Sequence, residues 1–468
     1  MGRSPTGGFR GGLARGGQKR GLQADFPAAI AQEIEALLGR QAVQGLDFEA
    51  LETAARQQAL RVAARALEGW LNADTSDHAG SHLPCACGAP AQYRGRHGKS
   101  FESVLGTLYL ERAYYYCQKC QSGFCPRDRA LSLEDFSLSP AVLRMVGSAA
   151  TLVSFVESST LLRELAGVDV NAKQVERAAE ALGQEIAQDE RQCVEPLSQT
   201  PVPATLYLGM DGTGIPMRSS ELVGRSGKQA DGSAKTREVK LVTVWSAESL
   251  DENGIPIRDP GSVSYSAAIE SAATLDTDSL PAEFTQRVLR EATRRRFEQT
   301  PRRVVLGDGA AYIWNIAQEL FPDARQIIDR YHVKEHLSDV AKAIYGPDNE
   351  QSQAWASKRH QELDDGRLRP LLRALNRHAP RCQPARKCVD YIKKNQQRMR
   401  YAEFHAQGLC TSTGVVEAGC KVAIGTRLKR TGMHWSLPGA NSIIALRCCK
   451  LSGRFEDFWQ RRAAQRAA

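Results

Sequence analysis

Two apolar runs of the sequence end on an aspartate that a glycine follows. One is LYLGMDG, which contains Asp211, and the other is VVLGDG, which contains Asp308. Residues 205–210 and 302–307 have the composition of β-strands, so each aspartate is predicted at the carboxyl end of a strand. Because parallel neighbouring strands end at the same edge of a sheet, the two carboxylates would lie together there. Either aspartate alone is also typical of an ordinary turn, since turns select Asp and Gly.

A third acid, Glu417, lies in the stretch TSTGVVEAG. Ser412 or Thr413 is a suitable N-cap, so Glu417 is predicted near the start of a helix, although the helix dipole alone also explains a glutamate there. Three carboxylates that meet would offer hard oxygen ligands to two magnesium ions. One ion would activate a water or a 3′ hydroxyl, and the other would stabilise the leaving oxygen of a phosphodiester. The set therefore predicts phosphoryl transfer.

A basic tract surrounds and follows this helix. Residues 421–454 contain seven Lys or Arg and no Asp or Glu, whereas a solvated helix face normally mixes both signs. We expect Arg427, Lys429 and Arg430 to clamp a DNA backbone and Trp435 to stack on a base. The tract therefore predicts a nucleic acid as the partner.

Four cysteines have the layout of a zinc ribbon. Cys85 and Cys87 stand in PCACG, and Cys117 and Cys120 stand in YYYCQKCQ, about 30 residues further on. Thiolates in two short pairs can enclose zinc in a closed tetrahedron. One residue rather than two separates the first pair, so incidental thiols are the alternative. A structural zinc would substitute for the hydrophobic core that this segment lacks.

The elements that must position the three acids follow an α/β order. Three strands, a helix, and then strand, helix and strand are the order of an RNase H-like fold, with both hairpin and crossover connections. From about residue 333 to 400 the pattern is helical and highly charged, which predicts an all-helical insertion. The predicted strands are 205–210, 238–246, 262–269, 302–307 and 325–328, and the predicted helices between them are about 279–298 and 311–320.

The sequence before the sheet is helical apart from the cysteine segment. Residues 1–22 carry five basic residues and no acid, which predicts a disordered arm. Apolar residues at helical spacing predict two or three helices over 26–71. Gly167 separates two further apolar-periodic runs, and Asn171 is a suitable cap for the second, which suits either a DNA-reading helix pair or a simply packed one. Three prolines predict a linker at 195–205.

Length and composition limit the number of folded units, the class of partner and the state of the cysteines. A chain of 468 residues is expected to fold into two to four units, and a net charge of +9 favours a polyanionic partner. Twelve cysteines without a secretion signal favour reduced thiols and metal ligands over disulfides. Because no stretch reaches roughly 18 apolar residues, we expect a cytoplasmic protein associated with the nucleoid.

The motifs that carry these residues resemble the ISKra-type bacterial insertion-sequence transposases. They are GMDGTGIPMR around Asp211, VVLGDGAAYIWN around Asp308, IIDRYHVKEHL at 327–337 and GVVEAGCKVAIGTRLKRTGMHWS at 414–436. The similarity extends upstream to the CACG and CQKC pairs and covers roughly residues 80–450. The glycine-rich arm before residue 22 has no clear counterpart.

This resemblance implies an RNase H-like fold in which Asp211, Asp308 and Glu417 form a DDE triad for two magnesium or manganese ions. The DRYH stretch matches an Asp-x-x-His signature, and His332 is expected to orient a scissile phosphate or a water. The alternative is a structural histidine capped by Asp329. His82 and Cys125 are further candidate zinc ligands, but Cys125 stands where relatives have an aromatic residue, so the expected zinc ligands remain Cys85, Cys87, Cys117 and Cys120.

The sequence thus predicts a transposase that binds terminal inverted repeats, cleaves double-stranded DNA and joins the 3′ ends to target DNA, as a homodimer or larger complex. A nuclease of the same fold and an inert zinc-ribbon DNA-binding protein are the alternatives. The expected domains are a basic arm at 1–25, a helical segment at 26–75, a zinc-ribbon-like module at 80–130, a helical DNA-binding segment at 135–192, a catalytic core at 203–345 and 409–468, and a helical insertion at 346–408.

Overall fold

The computed structural model describes residues 47–134, 137–194, 201–227, 229, 232–252, 254–273 and 280–467, together with 28, 31, 32 and 35. The predicted basic arm, most of the predicted helices before residue 47 and residues 195–200 of the predicted linker lie outside this part of the chain. The described residues belong to two compact units. We name them the N-terminal unit (mainly 47–142, with 164–169) and the C-terminal unit (mainly 143–163 and 170–466).

The N-terminal unit is a long helix and a four-stranded antiparallel sheet in the order β1-β2-β3-β4. Asp47 caps the helix through the Ala50 N–H. Leu67 and Leu71 of the helix pack against Leu108 and Leu110 of the sheet. The elements are α1 (Phe48–Ala73), β1 (His82–Pro84), β2 (Pro90–Ser103), β3 (Gly106–Cys117), β4 (Ser122–Phe124) and the short α2 (Pro126–Ala130).

The centre of the C-terminal unit is a mixed five-stranded sheet in the order β11-β10-β5-β6-β9. The strands β11, β10 and β5 are parallel, and β5, β6 and β9 are antiparallel. Strands β7 (Ser249–Leu250) and β8 (Pro256–Ile257) form a separate small hairpin. The strands of the large sheet are β5 (Thr205–Pro216), β6 (Thr236–Ser246), β9 (Ser264–Ala268), β10 (Arg302–Gly307) and β11 (Arg325–Ile328).

The predicted end of β5 is wrong. Asp211 does not close the strand but lies within it, opposite Leu241 of β6. The strand continues because β6 pairs with it residue by residue as far as Pro216. Gly212 and Gly214, which suggested a turn, lie in the ladder instead, where the side chains of β6 leave no room for a Cβ. The bounds predicted for β10 and β11 agree with the structure.

Helices pack around this sheet. Two predictions about them can be compared with the structure: the break at Gly167 and the cap at Asn171. Gly167 has a φ of +71°, and Asn171 caps α5 in a reciprocal capping box with Gln174. The helix packs closely on α15, since a Cβ at Gly183 would lie 2.2 Å from the Ser442 carbonyl oxygen. The helices are α3 (Pro140–Leu152), α4 (Phe155–Leu161), α5 (Ala172–Gln192), α6 (Glu283–Arg294) and α7 (Ala311–Leu320).

Five helices follow β11, as the predicted insertion requires, before the chain returns to the sheet. They are α8 (Arg330–Tyr345), α9 (Glu350–Asp364), α10 (Leu368–His378), α11 (Gln383–Asn395) and α12 (Tyr401–Ala406). The remaining helices are α13 (Gly414–Gly419), its continuation as a π-helix (Cys420–Gly425), α14 (Thr426–Leu428), α15 (Leu437–Leu451) and α16 (Phe455–Ala467). None of the helices described here is long and apolar enough to span a membrane.

Candidate active site and candidate metal centre

Asp211 and Asp308 are neighbours on adjacent parallel strands. The pairing of β10 with β5 sets Leu306 opposite Gly209, and the same offset places Asp308 beside Asp211. Parallel partners project from the same face, so both carboxylates belong to one side of the sheet. Asp211 Oδ1 accepts the Gly212 N–H at 2.6 Å, and Asp308 Oδ1 accepts the Ala310 N–H at 2.9 Å. Asp211 also accepts a hydrogen bond from the Cys420 thiol.

Helix α13 brings Glu417 to the same face. A Cβ at Gly209 would lie 2.2 Å from Val416 Cγ2, so glycine allows the helix to lie directly on β5. Asp211 is two residues further along the strand and therefore projects toward the helix as well. Asp211 and Glu417 line one open cavity of about 480 Å³. Glu417 is exposed, but it lies in the same cavity as Asp211.

The cavity has a basic side that the sequence predicted only in part. Lys421 and Lys429 are exposed and line it, and the Lys429 ammonium donates to Thr213 Oγ1. Glu417, Lys421, Gly425 and Lys429 recur at every fourth position, which is the spacing of one helix face. That spacing in the sequence indicates that Lys421 lies on the same helix face as Glu417, although Lys421 was not among the predicted DNA ligands.

The electrostatics favour a cation between the acids. Burial is the main cause that raises the pKa of Asp211 above its usual value, and the charges of Asp308 and Glu238 raise it further, against hydrogen bonds from Gly212 and Cys420. Within the part of the chain described here, no Lys, Arg or His lies within 4.0 Å of the carboxylates of Asp211, Asp308 or Glu417. Magnesium prefers oxygen ligands, and carboxylates that are not paired with a basic side chain are available to it.

The three acids do not form a closed single-ion cage. Among the described residues, the four cysteines are the one group of at least three His, Cys, Asp or Glu whose ligand atoms all lie within 4.8 Å of one another. The carboxylates of Asp211, Asp308 and Glu417 are therefore not gathered around a single point in this structure.

Asp329 connects three segments around this site. The register of β11 with β10 places it beside Asp308. Its carboxylate is buried and accepts the His332 N–H at 2.8 Å and both the N–H and the hydroxyl of Thr413. Thr413 Oγ1 lies 3.5 Å from Glu417 Oε1. Asp329 thus fixes the start of α8 and the start of the Glu417 helix to the same sheet edge. The sequence offered the contact with His332 as an alternative but did not reveal the contact with Thr413.

His332 lies in the first turn of α8. Its Nδ1 is 3.7 Å from Glu335 Oε2, and its ring centroid is 4.5 Å from that of His336. The capping of its backbone N–H by Asp329, which the sequence offered as the structural alternative, is present. The contact of His332 with a phosphate or a water stays a prediction.

Two of the predicted DNA contacts are wrong. Arg427 is fully buried, its Nε donates to the Ala150 carbonyl at 2.9 Å, and its guanidinium lies 5.2 Å from the Trp435 ring centroid. Burial lowers the pKa of Arg427 to about 10. Trp435 is also buried and donates to the Leu428 carbonyl at 3.0 Å. The turn after the π-helix directs both side chains inward, so they stabilise packing and present no surface to DNA.

The other residues of the basic tract divide in the same way. Arg430 is paired with Glu157 through two hydrogen bonds of 2.5 and 2.7 Å, which neutralise its charge. Arg447 is buried and donates to the Ala423 carbonyl at 2.8 Å. Arg454 pairs with the buried Glu291 at 2.8 Å. Of the basic residues predicted to contact DNA, Arg427 is buried and Arg430 is paired, so Lys429 is the one that remains exposed at the cavity.

The four cysteines form a second candidate site, in the N-terminal unit. The Sγ atoms of Cys85 and Cys120 are 3.5 Å apart, and those of Cys87 and Cys117 are 3.6 Å apart. A zinc tetrahedron with Zn–S bonds of about 2.3 Å sets its sulfurs about 3.8 Å apart, so the geometry fits the ion. Cys125 is not part of this group.

The surroundings of the sulfurs support the same interpretation. Hydrogen bonds from Ser122 and then from the neighbouring thiols lower the pKa of Cys120 to about 6. Against a backbone hydrogen bond from Ala89, burial and the neighbouring thiols raise the pKa of Cys87 to about 11. Cys120 thus favours the thiolate that a metal requires and Cys87 does not. The local core is small, with Ala91, Ala113 and Tyr115 as its buried side chains besides two of the cysteines. A structural ion would supply stability that so few apolar residues cannot.

No family model and no curated protein matches the chain. Among solved structures, the chain is similar to one chain of the Drosophila P element transposase strand transfer complex, at 10% sequence identity over 69% of this chain and 80% of that chain. The TM-score of this match is 0.25. Function therefore has to be argued from the residues themselves.

Proposed function

We propose that this chain is a DNA transposase of the ISKra type, with an RNase H-like catalytic unit and a DDE triad. One observation carries the proposal: Asp211 lies in β5, Asp308 directly follows the parallel neighbour β10 in the register that sets it beside Asp211, and Glu417 shares a cavity with Asp211. None of the three has a basic partner within 4.0 Å in the described residues. A protein that tolerates such uncompensated acids gains by binding cations there.

The order of the elements supports the RNase H-like assignment. Three strands, a helix, and then strand, helix and strand build the sheet, with a helical insertion between β11 and α13. This is the order that the sequence predicted for that fold. The insertion explains why Glu417, distant in sequence, returns to the face that carries the aspartates.

The chain's residues have distinct roles in the proposed reaction. Asp211, Asp308 and Glu417 would hold two magnesium or manganese ions, which supply activation of a water or 3′ hydroxyl and stabilisation of the leaving oxygen. Lys421 and Lys429 line the same cavity and suit the phosphate groups of the strand.

The remaining parts of the chain would serve DNA recognition. We infer that Cys85, Cys87, Cys117 and Cys120 hold a structural zinc in a ribbon-like module, and that this module and the helical segment at 135–192 contact the terminal inverted repeats. Cleavage at two element ends requires two active sites, so a homodimer or larger complex on double-stranded DNA is part of the proposal.

A cleavage assay tests the function. The purified protein is incubated with Mg²⁺ or Mn²⁺ and linear duplexes that carry the DNA flanking its own coding sequence on either side. We expect nicks that leave 3′ hydroxyls at defined positions, and joined products when target DNA is added. Asp211→Asn, Asp308→Asn and Glu417→Gln should each lower the cleavage rate by about three orders of magnitude or more, because each removes several kcal/mol of metal-dependent stabilisation.

The matched control is Glu319→Gln, which neutralises an exposed carboxylate on α7. It should cleave at the wild-type rate. Cleavage without joined products would favour the nuclease alternative, and tight binding without metal-dependent cleavage would favour the inert DNA-binding protein. A triad variant that cleaves like the control would remove that acid from the site.

A further inference from the structure

A groove with basic walls lies at the end of the parallel strands opposite the catalytic acids. It is formed by the starts of β10 and β11 and by residues 394–400 of the helical insertion, and it encloses about 660 Å³. Asp323 is the one acid on its walls. Six basic residues line it: Arg302, Arg303, Arg325, Lys394, Arg398 and Arg400.

The sequence around the groove is more basic than the tract near Glu417. Residues 366–400 contain eleven Lys or Arg and a single acid, Asp390. On α10, Arg369, Arg373 and Arg377 recur at every fourth position and are all exposed. Like charges at this spacing destabilise a helix in isolation. These three side chains reach the surface, whereas Arg427 and Arg447 of the 421–454 tract are buried.

Most of the positive charge in the groove is not neutralised. Within the described part of the chain, no carboxylate lies within 4.0 Å of Arg302, Arg325, Lys394 or Arg398. The two exceptions are Arg303, which is 2.6 Å from Glu298, and Arg400, which is 3.0 Å from Glu403. The groove therefore holds four cationic groups that no carboxylate of the described residues compensates.

Two of these groups are held in place before any ligand arrives. Arg302 donates to Thr205 Oγ1 at 2.8 Å and to the Gln407 carbonyl at 3.0 Å. Arg398 lies 4.6 Å from the Trp314 ring centroid and donates to Gln326 Oε1 at 2.7 Å. Such contacts reduce the entropy lost on binding. Arg325 and Lys394 are exposed and complete the walls.

The geometry points to a second nucleic-acid site: this groove binds the sugar-phosphate backbone of double-stranded DNA, away from the site of chemistry. The open groove and its spread of charges suit an extended polyanion rather than a single anion. Gln326 and Gln397 add amide groups of the kind that contact phosphates and sugars. The choice of DNA among polyanions rests on the proposed function, whereas the affinity for a polyanion does not.

The groove and the catalytic acids would contact different parts of a duplex. Six residue steps along β10 lead from Arg302 to Asp308, which corresponds to about 20 Å of strand. Along a straight duplex this is about six base pairs. The groove would therefore hold DNA that flanks the cleaved phosphate, or a second duplex.

The salt dependence of binding tests this proposal. Anisotropy of a labelled duplex is measured with the full-length protein at graded NaCl concentrations, without divalent cations. The double variant Arg325→Ala/Lys394→Ala should lower the slope of log K against log salt by about 2, since each lost phosphate contact contributes about 0.9. The charge-conserving variant Arg325→Lys/Lys394→Arg should keep the wild-type slope.

The matched control removes two exposed arginines elsewhere, Arg61→Ala/Arg258→Ala. Equal slopes for this control and the groove variant would overturn the proposal. Poly-glutamate that competes with the duplex in the wild type as effectively as unlabelled DNA, but not in the groove variant, would overturn DNA as the occupant.

Failure of the groove and failure of the proposed function give different results. The same slopes are measured in Asp308→Asn protein, which lacks a triad acid but keeps the groove. If the groove double variant lowers the salt slope but the wild-type protein never cleaves DNA, the groove is supported and the transposase function is contradicted. If the wild-type protein cleaves DNA but the groove double variant leaves the salt slope unchanged, the transposase function is supported and the groove is contradicted.

Discussion

Two sets of carboxylates in the C-terminal unit differ in what neutralises them. The first set is an ion network between helices and sheet, in which each acid contacts arginines. The second set is the triad, in which no acid has a basic partner within 4.0 Å in the described structure. The first set is Glu190, Glu270 and Glu291, and the second is Asp211, Asp308 and Glu417.

Arginines of the chain neutralise the acids of the ion network. Arg287 contacts Glu270 through two hydrogen bonds of 2.8 and 2.5 Å. Glu291 is fully buried, which alone would raise its pKa, but the charges of Arg454 and Arg294 hold that pKa at about 2. By contrast, the pKa of Asp211 is raised. The comparison shows that arginines of the chain neutralise the network, whereas the acids of the triad have no such partner in the described residues.

Removal of one acid from the network should have the largest effect on stability. Glu291→Ala leaves Arg294 and Arg454 buried with fewer partners, so we expect the free energy of unfolding to fall by about 3–5 kcal/mol. Denaturant unfolding measures this, with the exposed Glu319→Ala as the control, which should stay within about 0.5 kcal/mol of wild type. A loss for Glu291→Ala no larger than the control would contradict the structural role of the network.

Weakening the support of the triad should have an intermediate effect on activity. Asp329→Asn keeps an acceptor for one donor but loses the charge that holds Thr413, so cleavage should slow by about 10- to 100-fold, the usual cost of a lost outer-shell contact. Half-maximal cleavage should also need more Mn²⁺. The exposed Asp390→Asn on α11 is the control. A lower melting temperature with an unchanged Mn²⁺ dependence would indicate a purely structural role for Asp329.

Acidification should have the smallest of these effects: the triad and the ion network should lose their function at different pH values. The pKa of Asp211 is raised, so its carboxylate is protonated, and its affinity for Mn²⁺ lost, at a higher pH than for an ordinary aspartate. The pKa of Glu291 is lowered to about 2 from 4.5, so its contribution to stability is present above pH 4.5 and is lost as the pH falls toward 2. Titration of Mn²⁺ affinity and circular dichroism should show metal binding lost first; simultaneous loss would contradict this.

The sequence predicted the parts of the fold that local patterns determine. The apolar runs before Asp308 and Asp329 gave the bounds of β10 and β11, and Asn171 caps α5 as predicted. The end of β5 was missed because its pairing with β6 depends on a segment more than 20 residues away, which no local pattern at Asp211 reveals.

Charge counts gave the wrong surface. The 421–454 tract has no acid, yet Arg447 lies on α15, where Ile443, Ile444 and Leu446 make nearly every side apolar. A helix that is hydrophobic all round is buried, so its basic residues are buried with it. The same rule identifies 366–400 as surface, because α10 alternates buried leucines with exposed arginines. The groove itself joins β10, β11 and the insertion, which only the folded chain brings together.

The central claim is that the three acids of the triad, which no basic group of the described chain neutralises, bind divalent cations. Calorimetric titration of Mn²⁺ into the folded protein tests this claim most directly. Wild type and Glu319→Gln should bind Mn²⁺ with the same affinity, and Asp308→Asn should bind at least tenfold more weakly. Equal Mn²⁺ affinities for Asp308→Asn and wild type would contradict the account.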